Sequence, residues 1–100
     1  MTSTDIDLIA LGVTGNEMKF LRKRAQLQRK DVIQWMSDKV LYGTPPQSTR
    51  ALDYVEIKRG VVPVKWLAAL RDLVIKRLGV ATWEGLITAL TERRRQRGTI

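Results

Sequence analysis

Cysteine and histidine are both missing from the 100-residue sequence. Their absence excludes disulfide bonds, thiol nucleophiles, zinc sites built on these residues and acid–base catalysis by an imidazole. Acidic residues number only ten, and they are scattered without the paired spacing that carboxylate catalysis needs. We therefore expect a protein that is not an enzyme and that holds no metal or cofactor.

Long apolar runs are missing as well. No stretch approaches the roughly 20 consecutive apolar residues that cross a bilayer as a helix. The N-terminal sequence MTSTDIDLIALGVTG contains two aspartates and no basic residue, so a signal peptide is not expected. The lack of cysteine fits a reducing compartment. Together these features favour a cytoplasmic protein with no membrane partner.

Positive charge is what the chain has in excess. Eighteen lysines and arginines against ten acids give a formal net charge of +8. On one small domain this excess favours a polyanion as partner, namely DNA, RNA or anionic lipid, over a role in solubility alone. RNA is the weaker hypothesis, because the aromatic residues fall on apolar helix faces and not on a stacking platform.

Helical periodicity begins at residue 16. Met18, Leu21 and Ala25 share one helix face, and Asn16 is a favourable N-cap, so helix 1 is predicted over Asn16–Ala25. The preceding residues 1–15 form a lead-in. Within it, DIDLIALGV would suit a short strand, a turn of helix or an ordered arm.

Four more helices are predicted after the first. The consecutive prolines of GTPPQ, residues 43–47, cannot continue a helix and require a linker. Glycines mark the later ends. The predicted elements are helix 2 from Gln28 or Arg29 to a point between Met36 and Leu41, helix 3 from a Ser48 or Thr49 cap to Gly60, helix 4 over Val64–Leu78 before Gly79, and helix 5 from a Thr82 cap. The predicted fold class is all-α.

The order of these elements resembles a known DNA-binding family. GNEMKFLRKRAQLQRKDVIQWM followed by STRALDYVEIKRGVVP is similar to the helix-turn-helix domain of the Cro and lambda-repressor-like, or XRE, family, over residues 14–78. The positions that match its pattern are the pair Leu21 and Arg22 in helix 1, Leu27 in the turn, Ser48 as the cap of helix 3, the buried Leu52 and Val55, the closing Glu56, and Gly60 and Pro63 before helix 4.

The resemblance implies a lambda-repressor-like bundle of about five helices with a lengthened joint between helices 2 and 3. It divides the chain into an N-terminal arm at 1–15, a helix-turn-helix domain at 16–79 and a C-terminal helix with a basic tail at 80–100. Glycine also follows Glu56 later than in the family, which leaves two registers for helix 3. One buries Leu52 and Val55, and the other turns Tyr54 and Ile57 inward with Lys58 in the place of the glutamate.

The same resemblance implies a sequence-specific regulator of transcription, a repressor, that reads double-stranded DNA with helix 3 (Ser48–Lys58). It would be a homodimer, encoded by a bacterium or phage and associated with the nucleoid. TGNEMKFLRK is also similar to helix 1 of repressors that serve as antitoxins. The second hypothesis is therefore an antitoxin or protein-interaction module, which binds a toxin or another protein as well as, or instead of, DNA.

Helix geometry selects the residues expected at the DNA. With Leu52 and Val55 inward, Arg50 would bond to O6 and N7 of guanine, and Asp53 would accept from a cytosine amine or orient Arg50. Basic residues at the start of helix 2 and the end of helix 3 would meet phosphates. The predicted DNA-binding residues are Arg29, Lys30, Gln47, Ser48, Thr49, Arg50, Asp53, Tyr54, Lys58 and Arg59.

The C-terminal helix leaves two questions open. Its apolar stripe would form either a dimer seam or part of the core. The arginine-rich ERRRQRGTI that follows would be a frayed tail, a phosphate-binding arm or a continuation of helix 5. Trp35 and Trp66, like the tryptophan of the stripe, are expected in the core or at an interface. The stripe consists of Trp83, Leu86, Ile87 and Leu90.

Overall fold

The computed structural model describes residues 10–39, 42, 48–58 and 60–98. Within these ranges the chain is all-α, with five helices and no strand. We number the helices in chain order as α1 (Gly15–Arg24), α2 (Arg29–Ser37), α3 (Thr49–Lys58), α4 (Val64–Leu78) and α5 (Val80–Gly98). The all-α prediction is confirmed.

Helix α1 begins at Gly15, and its cap, Thr14, lies two residues before the predicted cap. Thr14 Oγ1 accepts a hydrogen bond from the Glu17 backbone N–H at 3.3 Å, and Glu17 Oε1 accepts from the Thr14 N–H at 3.0 Å. This reciprocal capping box satisfies two backbone donors at once. The choice of Asn16 as the cap was therefore wrong, since Asn16 lies inside the first turn and Thr14 has the glutamate partner three residues later.

The segment before α1 pairs with the segment before α4. Ala10 and Leu11 have helical conformation, and Gly12 turns the chain with a φ of 56°. Thr14 and Val61 then form an isolated antiparallel bridge, in which the Val62 N–H donates to the Val13 carbonyl at 2.9 Å. Part of the lead-in is thus an ordered arm on the domain, while residues 1–9 lie outside the described residues.

A single apolar core runs through all five helices. Met18 and Leu21 of α1, like Leu52 of α3, are fully buried within it. The stripe of α4 is buried through Leu67, Leu70, Leu73 and Val74. Trp83 is buried, and Trp35 and Trp66 pack against the core with part of their surface exposed. The three tryptophans therefore lie in or against the core, as their positions on apolar helix faces predicted.

The joint between α2 and α3 is attached to the body of the domain through Tyr42. This side chain is 3% exposed; its hydroxyl donates to Asp72 Oδ2 at 2.7 Å and accepts from Trp35 Nε1–H at 3.0 Å. Burial, together with the Asp72 carboxylate, raises the pKa of Tyr42 to about 12. Helix α2 ends at Ser37, the shorter of the extents considered, and the prolines at 45 and 46 lie outside the described residues.

The corner between α4 and α5 is tighter than predicted. Helix α4 has the predicted bounds, and Gly79 follows it with a φ of 97°, a conformation that favours glycine. Helix α5 starts at Val80, so Thr82 is not its cap. The Thr82 hydroxyl instead donates to the Leu78 carbonyl at 2.9 Å.

Helix α5 continues to Gly98. The arginine-rich segment therefore extends the helix, which is one of the three conformations that the sequence left open. The stripe residues Trp83, Leu86 and Leu90 are buried within the chain, and Ile87 packs against them with part of its surface exposed. Of the two roles predicted for the stripe, a dimer seam or part of the core, the structure therefore has the second. None of the described helices combines the length and apolarity needed to cross a bilayer.

An ion pair ties the end of α5 to the start of α1. Arg94 Nε and Nη2 donate to the two oxygens of Glu17 at 2.6 and 2.7 Å, and Nη2 also donates to the Gly12 carbonyl at 3.2 Å. The hydrogen bond from Arg94, aided by the Thr14 N–H and opposed by burial, lowers the pKa of Glu17 from 4.5 to about 2. The ion pair between Glu17 and Arg94 therefore stabilises the folded chain only while the Glu17 carboxylate is charged.

We expect Glu17→Gln to lower the free energy of unfolding at pH 7 by roughly 1–2 kcal/mol, a figure reduced because Arg94 is partly solvated. Glutamine can still accept the capping bond, so the loss reports the charge. Because the folded pKa is depressed, the contribution is present above pH 4.5 and disappears as the pH falls towards 2. Urea titrations of both proteins between pH 7 and 2.5 measure this, and a difference that stays constant over the range would contradict it.

Candidate nucleic-acid interface

Helix α3 has one of its two predicted registers. Leu52 and Glu56 are fully buried and Val55 is 6% exposed, whereas Tyr54 is 60% and Ile57 is 51% exposed. The register that buries Leu52 and Val55 is therefore confirmed, and the one that turns Tyr54 and Ile57 inward is wrong. Val55 follows Leu52 by three residues and Glu56 follows it by four, so the buried face of α3 includes one charged side chain, that of Glu56.

The cap of α3 is Ser48. Its hydroxyl oxygen accepts a hydrogen bond from the Ala51 backbone N–H at 3.2 Å. A cap of this type satisfies one of the free N–H groups in the first turn and leaves the others available at the positive end of the helix dipole. The first turn of α3 thus has the chemistry of an anion-binding helix start, with Ser48 and Arg50 exposed around it.

Behind α3, the buried Glu56 carboxylate accepts hydrogen bonds from two guanidinium groups. Arg22 of α1, itself 5% exposed, donates from Nε to Oε2 at 3.0 Å and from Nη2 to Oε1 at 3.2 Å. Its Nη1 donates to the Leu27 carbonyl at 2.9 Å, in the turn between α1 and α2. One arginine therefore connects α1, the following turn and α3.

The second guanidinium belongs to Arg29, the first residue of α2. Arg29 Nε donates to Glu56 Oε1 at 2.9 Å, and Nη2 donates to Asp53 Oδ1 at 2.7 Å. Each member of this group, which we call the Glu56 network, is satisfied by charge-assisted hydrogen bonds. The network fixes how α3 sits on α1 and α2, and so which of its side chains point outward. Its members are Arg22, Arg29, Asp53 and Glu56.

The network was missed by sequence reasoning, although a signal for it existed. Once Leu52 and Val55 face inward, Glu56 lies four residues from Leu52 and must face inward too. A carboxylate on a buried helix face requires a cationic partner. Arg22 follows the buried Leu21, which makes it the nearest candidate in the first helix, but the pairing across 34 residues follows only from the fold.

The outer face of α3 carries Arg50 and Tyr54, both exposed. Among the described residues no carboxylate pairs with Arg50. The Asp53 side chain is 41% exposed and forms an ion pair with Arg29. The prediction that Asp53 orients Arg50 is therefore wrong, because the carboxylate bonds Arg29 instead. Arg50 and Tyr54 are four residues apart and therefore lie on the same side of the helix.

The remaining predicted contacts lie around this face. Lys30 is exposed at the start of α2 and, with Gln28 and the two network arginines, lines an open depression of about 310 Å³. Arg29 is one of those arginines, and its Nη1 atom has no protein partner in the described part of the chain. Thr49 and Lys58 are the first and last residues of α3. Gln47 and Arg59 lie outside the described residues.

The described groups thus present a capped helix start, an exposed arginine and flanking cations on one framework, an arrangement that can bind oxyanions and donate to base edges. Sequence comparison with protein-family models and with curated proteins, and comparison with solved structures, give no match to this chain.

Proposed function

We propose that this chain is a sequence-specific binder of double-stranded DNA, a helix-turn-helix protein of the lambda-repressor type in which α3 enters the major groove. The observation that carries the proposal is the contrast between the two sides of α3. Its inner side is locked by the Glu56 network, while its outer side presents Arg50 without an acidic partner among the described residues. A recognition helix needs both a rigid backing and a free reading face.

Arg50 is the residue we propose for reading bases. Its guanidinium can donate two parallel hydrogen bonds to O6 and N7 of guanine, a contact worth about 1–3 kcal/mol of discrimination. Tyr54, one turn further along, would contact a sugar, a phosphate or a thymine methyl group. The free N–H groups beyond the Ser48 cap would hold a phosphate and set the register of α3 on the duplex.

Arg29 and Lys30 are proposed as phosphate contacts at the start of α2. Arg29 uses Nε and Nη2 within the Glu56 network, which leaves Nη1 for a phosphate oxygen. An arginine fixed in this way would place α2 on the DNA backbone and transmit that position to α3. Asp53 would then act mainly by orienting Arg29, because a carboxylate so close to phosphates gains little from direct contact.

Repression and a homodimer complete the proposal. A two-fold dimer would match a palindromic operator with half-sites about 34 Å apart. The buried stripe of α5 is already part of the core, so the dimer contact would lie elsewhere on the surface. Sedimentation of the protein with and without its operator tests the stoichiometry.

The test of base reading is Arg50→Ala. A duplex selected from a random pool by the wild-type protein serves as the cognate site, and a shuffled duplex serves as the nonspecific one. We expect a roughly 5- to 150-fold loss of affinity for the cognate duplex and a much smaller loss for the shuffled duplex. Fluorescence anisotropy at fixed salt measures both.

The control is Arg95→Ala, which removes an exposed arginine from α5. It should weaken binding to the two duplexes to the same small extent, because Arg95 lies on α5, where it pairs with Glu92, and its loss lowers the net positive charge of the protein. An equal loss on both duplexes for Arg50→Ala as well would remove Arg50 as a base reader. Absence of any sequence preference in the selected pool would remove the proposal of specific binding.

A further inference from the structure

A second cationic surface lies between α1 and the end of α5, and the residues that line it come from these two helices. It is an open cleft of about 450 Å³, larger than the depression beside Arg29. We call it the α1–α5 cleft. The residues that line it are Asn16, Lys19, Phe20, Lys23, Arg24 and Arg93.

The cleft contains four cations and no acid. Across the part of the chain that the structure describes, none of these four pairs with a carboxylate. Other arginines of the same helices behave differently, since Arg22 pairs with Glu56 and Arg94 pairs with Glu17. The acids of this region are thus already neutralised inside the domain, and the cleft keeps its full positive charge. These cations are available to an anion from outside the chain.

The two arginines of the cleft are held in place by an aromatic ring. Arg93 Cζ lies 4.7 Å and Arg24 Cζ lies 5.9 Å from the centre of the Phe20 ring. A cation–π contact of this kind favours the position of the guanidinium group near the ring and leaves its N–H groups able to donate. The lysines at 19 and 23 are one helical turn apart on the same side of α1. The cleft therefore presents several hydrogen-bond donors on one surface.

We propose that the α1–α5 cleft binds the phosphate backbone of double-stranded DNA, outside the surface that reads bases. This inference rests on the proposed function and extends the footprint of the protein on the duplex. Each phosphate neutralised by a lysine or arginine releases counterions and adds affinity that does not depend on sequence.

The chemistry of the cleft favours a nucleic acid over an acidic protein segment. Protein partners are anchored by tryptophan, tyrosine and arginine side chains in well-packed pockets from which water is excluded. The single ring of this cleft, Phe20, is only partly exposed and lies against two guanidinium groups. The cleft is also open and shallow. It offers a ligand four cations on one open surface, and the repeated charges of a phosphate backbone complement them.

The experiment compares two charge-matched double variants. Lys19→Gln with Lys23→Gln removes two cations from the cleft. Lys39→Gln with Lys76→Gln removes two cations that stand over a different ring, that of Trp35, at 3.6 and 5.6 Å. The affinity of each protein for the selected and the shuffled duplex is measured at several salt concentrations between about 50 and 200 mM, a range over which the affinity of DNA-binding proteins changes strongly. Thermal melts verify that both variants fold.

We expect the slope of log K against log salt to fall by roughly 0.9 for each phosphate contact removed, and so by nearly two for the cleft variant. The fall should be the same for both duplexes and clearly smaller for the control variant. An equal fall in both variants would overturn the cleft as a distinct site, since total charge would then explain the effect.

Other outcomes separate this proposal from that of specific binding. If the wild-type protein prefers its selected duplex and the cleft variant keeps the full slope, only the cleft is wrong. If the protein binds all duplexes alike and the cleft variant loses slope, only specificity is wrong. A third outcome concerns poly-glutamate. If the wild-type protein binds poly-glutamate, the cleft variant does not, and the salt slope of the variant for DNA is unchanged, then the cleft binds an acidic protein and the inference is overturned.

Discussion

Replacing Glu56 by glutamine is expected to lower the free energy of unfolding by about 3 kcal/mol or more, in the range found when one partner of a buried ion pair is removed. The Glu56 carboxylate is fully buried and accepts bonds from Arg22 and Arg29. A glutamine keeps the shape but directs an NH₂ group at guanidinium donors and leaves the buried Arg22 without a counter-charge. Urea unfolding at pH 7 followed by circular dichroism measures the change.

Glu84→Gln is the matched control, because Glu84 is exposed on α5. It should change the free energy of unfolding by less than about 0.5 kcal/mol. A third variant, Arg22→Met with Glu56→Leu, replaces the buried pair by apolar side chains and should recover most of the loss. If Glu56→Gln behaves like the control, the network does not anchor α3.

The same substitution links stability to the proposed function. Because Glu56 and Arg29 set the position of α3 on α2, the apolar double variant should fold and yet bind the selected duplex less tightly than the wild-type protein. Arg29 would keep Asp53 as its remaining partner. Equal affinity of the two proteins would show that packing alone, without the network, holds α3 in its reading position.

Much of the architecture could be read from local patterns. The bounds of α4 follow from apolar spacing, because a buried helix face repeats every three or four residues. The same spacing allowed two registers for α3, since Leu52 with Val55 and Tyr54 with Ile57 are both three residues apart. The start of α1 was misplaced by the rule that favours asparagine as a cap. Thr14 with Glu17 three residues later is the stronger signal, since it satisfies donors in both directions.

Long-range contacts were beyond such reading. Tyr42 sits in a segment without periodicity, and its partners Trp35 and Asp72 lie on different helices. The cleft joins Phe20 of α1 to Arg93, which follows it by 73 residues in sequence. The pattern of a single sequence predicts which residues share one face of a helix, whereas these contacts depend on how the helices cross.

Gly15→Ala is the second change with a large expected effect. A Cβ atom at Gly15 would lie 2.2 Å from the Val55 carbonyl oxygen and 2.9 Å from Glu56 Cα. Both atoms are backbone and cannot rotate away, so α1 and α3 would have to separate. We expect a loss of about 3 kcal/mol in the free energy of unfolding, at the upper end of what overpacking costs, together with weaker binding of the selected duplex.

Gly85→Ala, the same substitution at another position, is expected to raise the free energy of unfolding. Gly85 lies within α5, and nothing stands within 4 Å of the position that its Cβ would take. Alanine there should stabilise the protein by roughly 0.5–1 kcal/mol, because it restricts the unfolded chain and favours the helix. Opposite signs for the two glycines would show that the close approach of α1 and α3, and not helix propensity, makes Gly15 necessary. A stabilising Gly15→Ala would mean that the two helices can move apart freely, and the rigid backing proposed for α3 would then have to be abandoned.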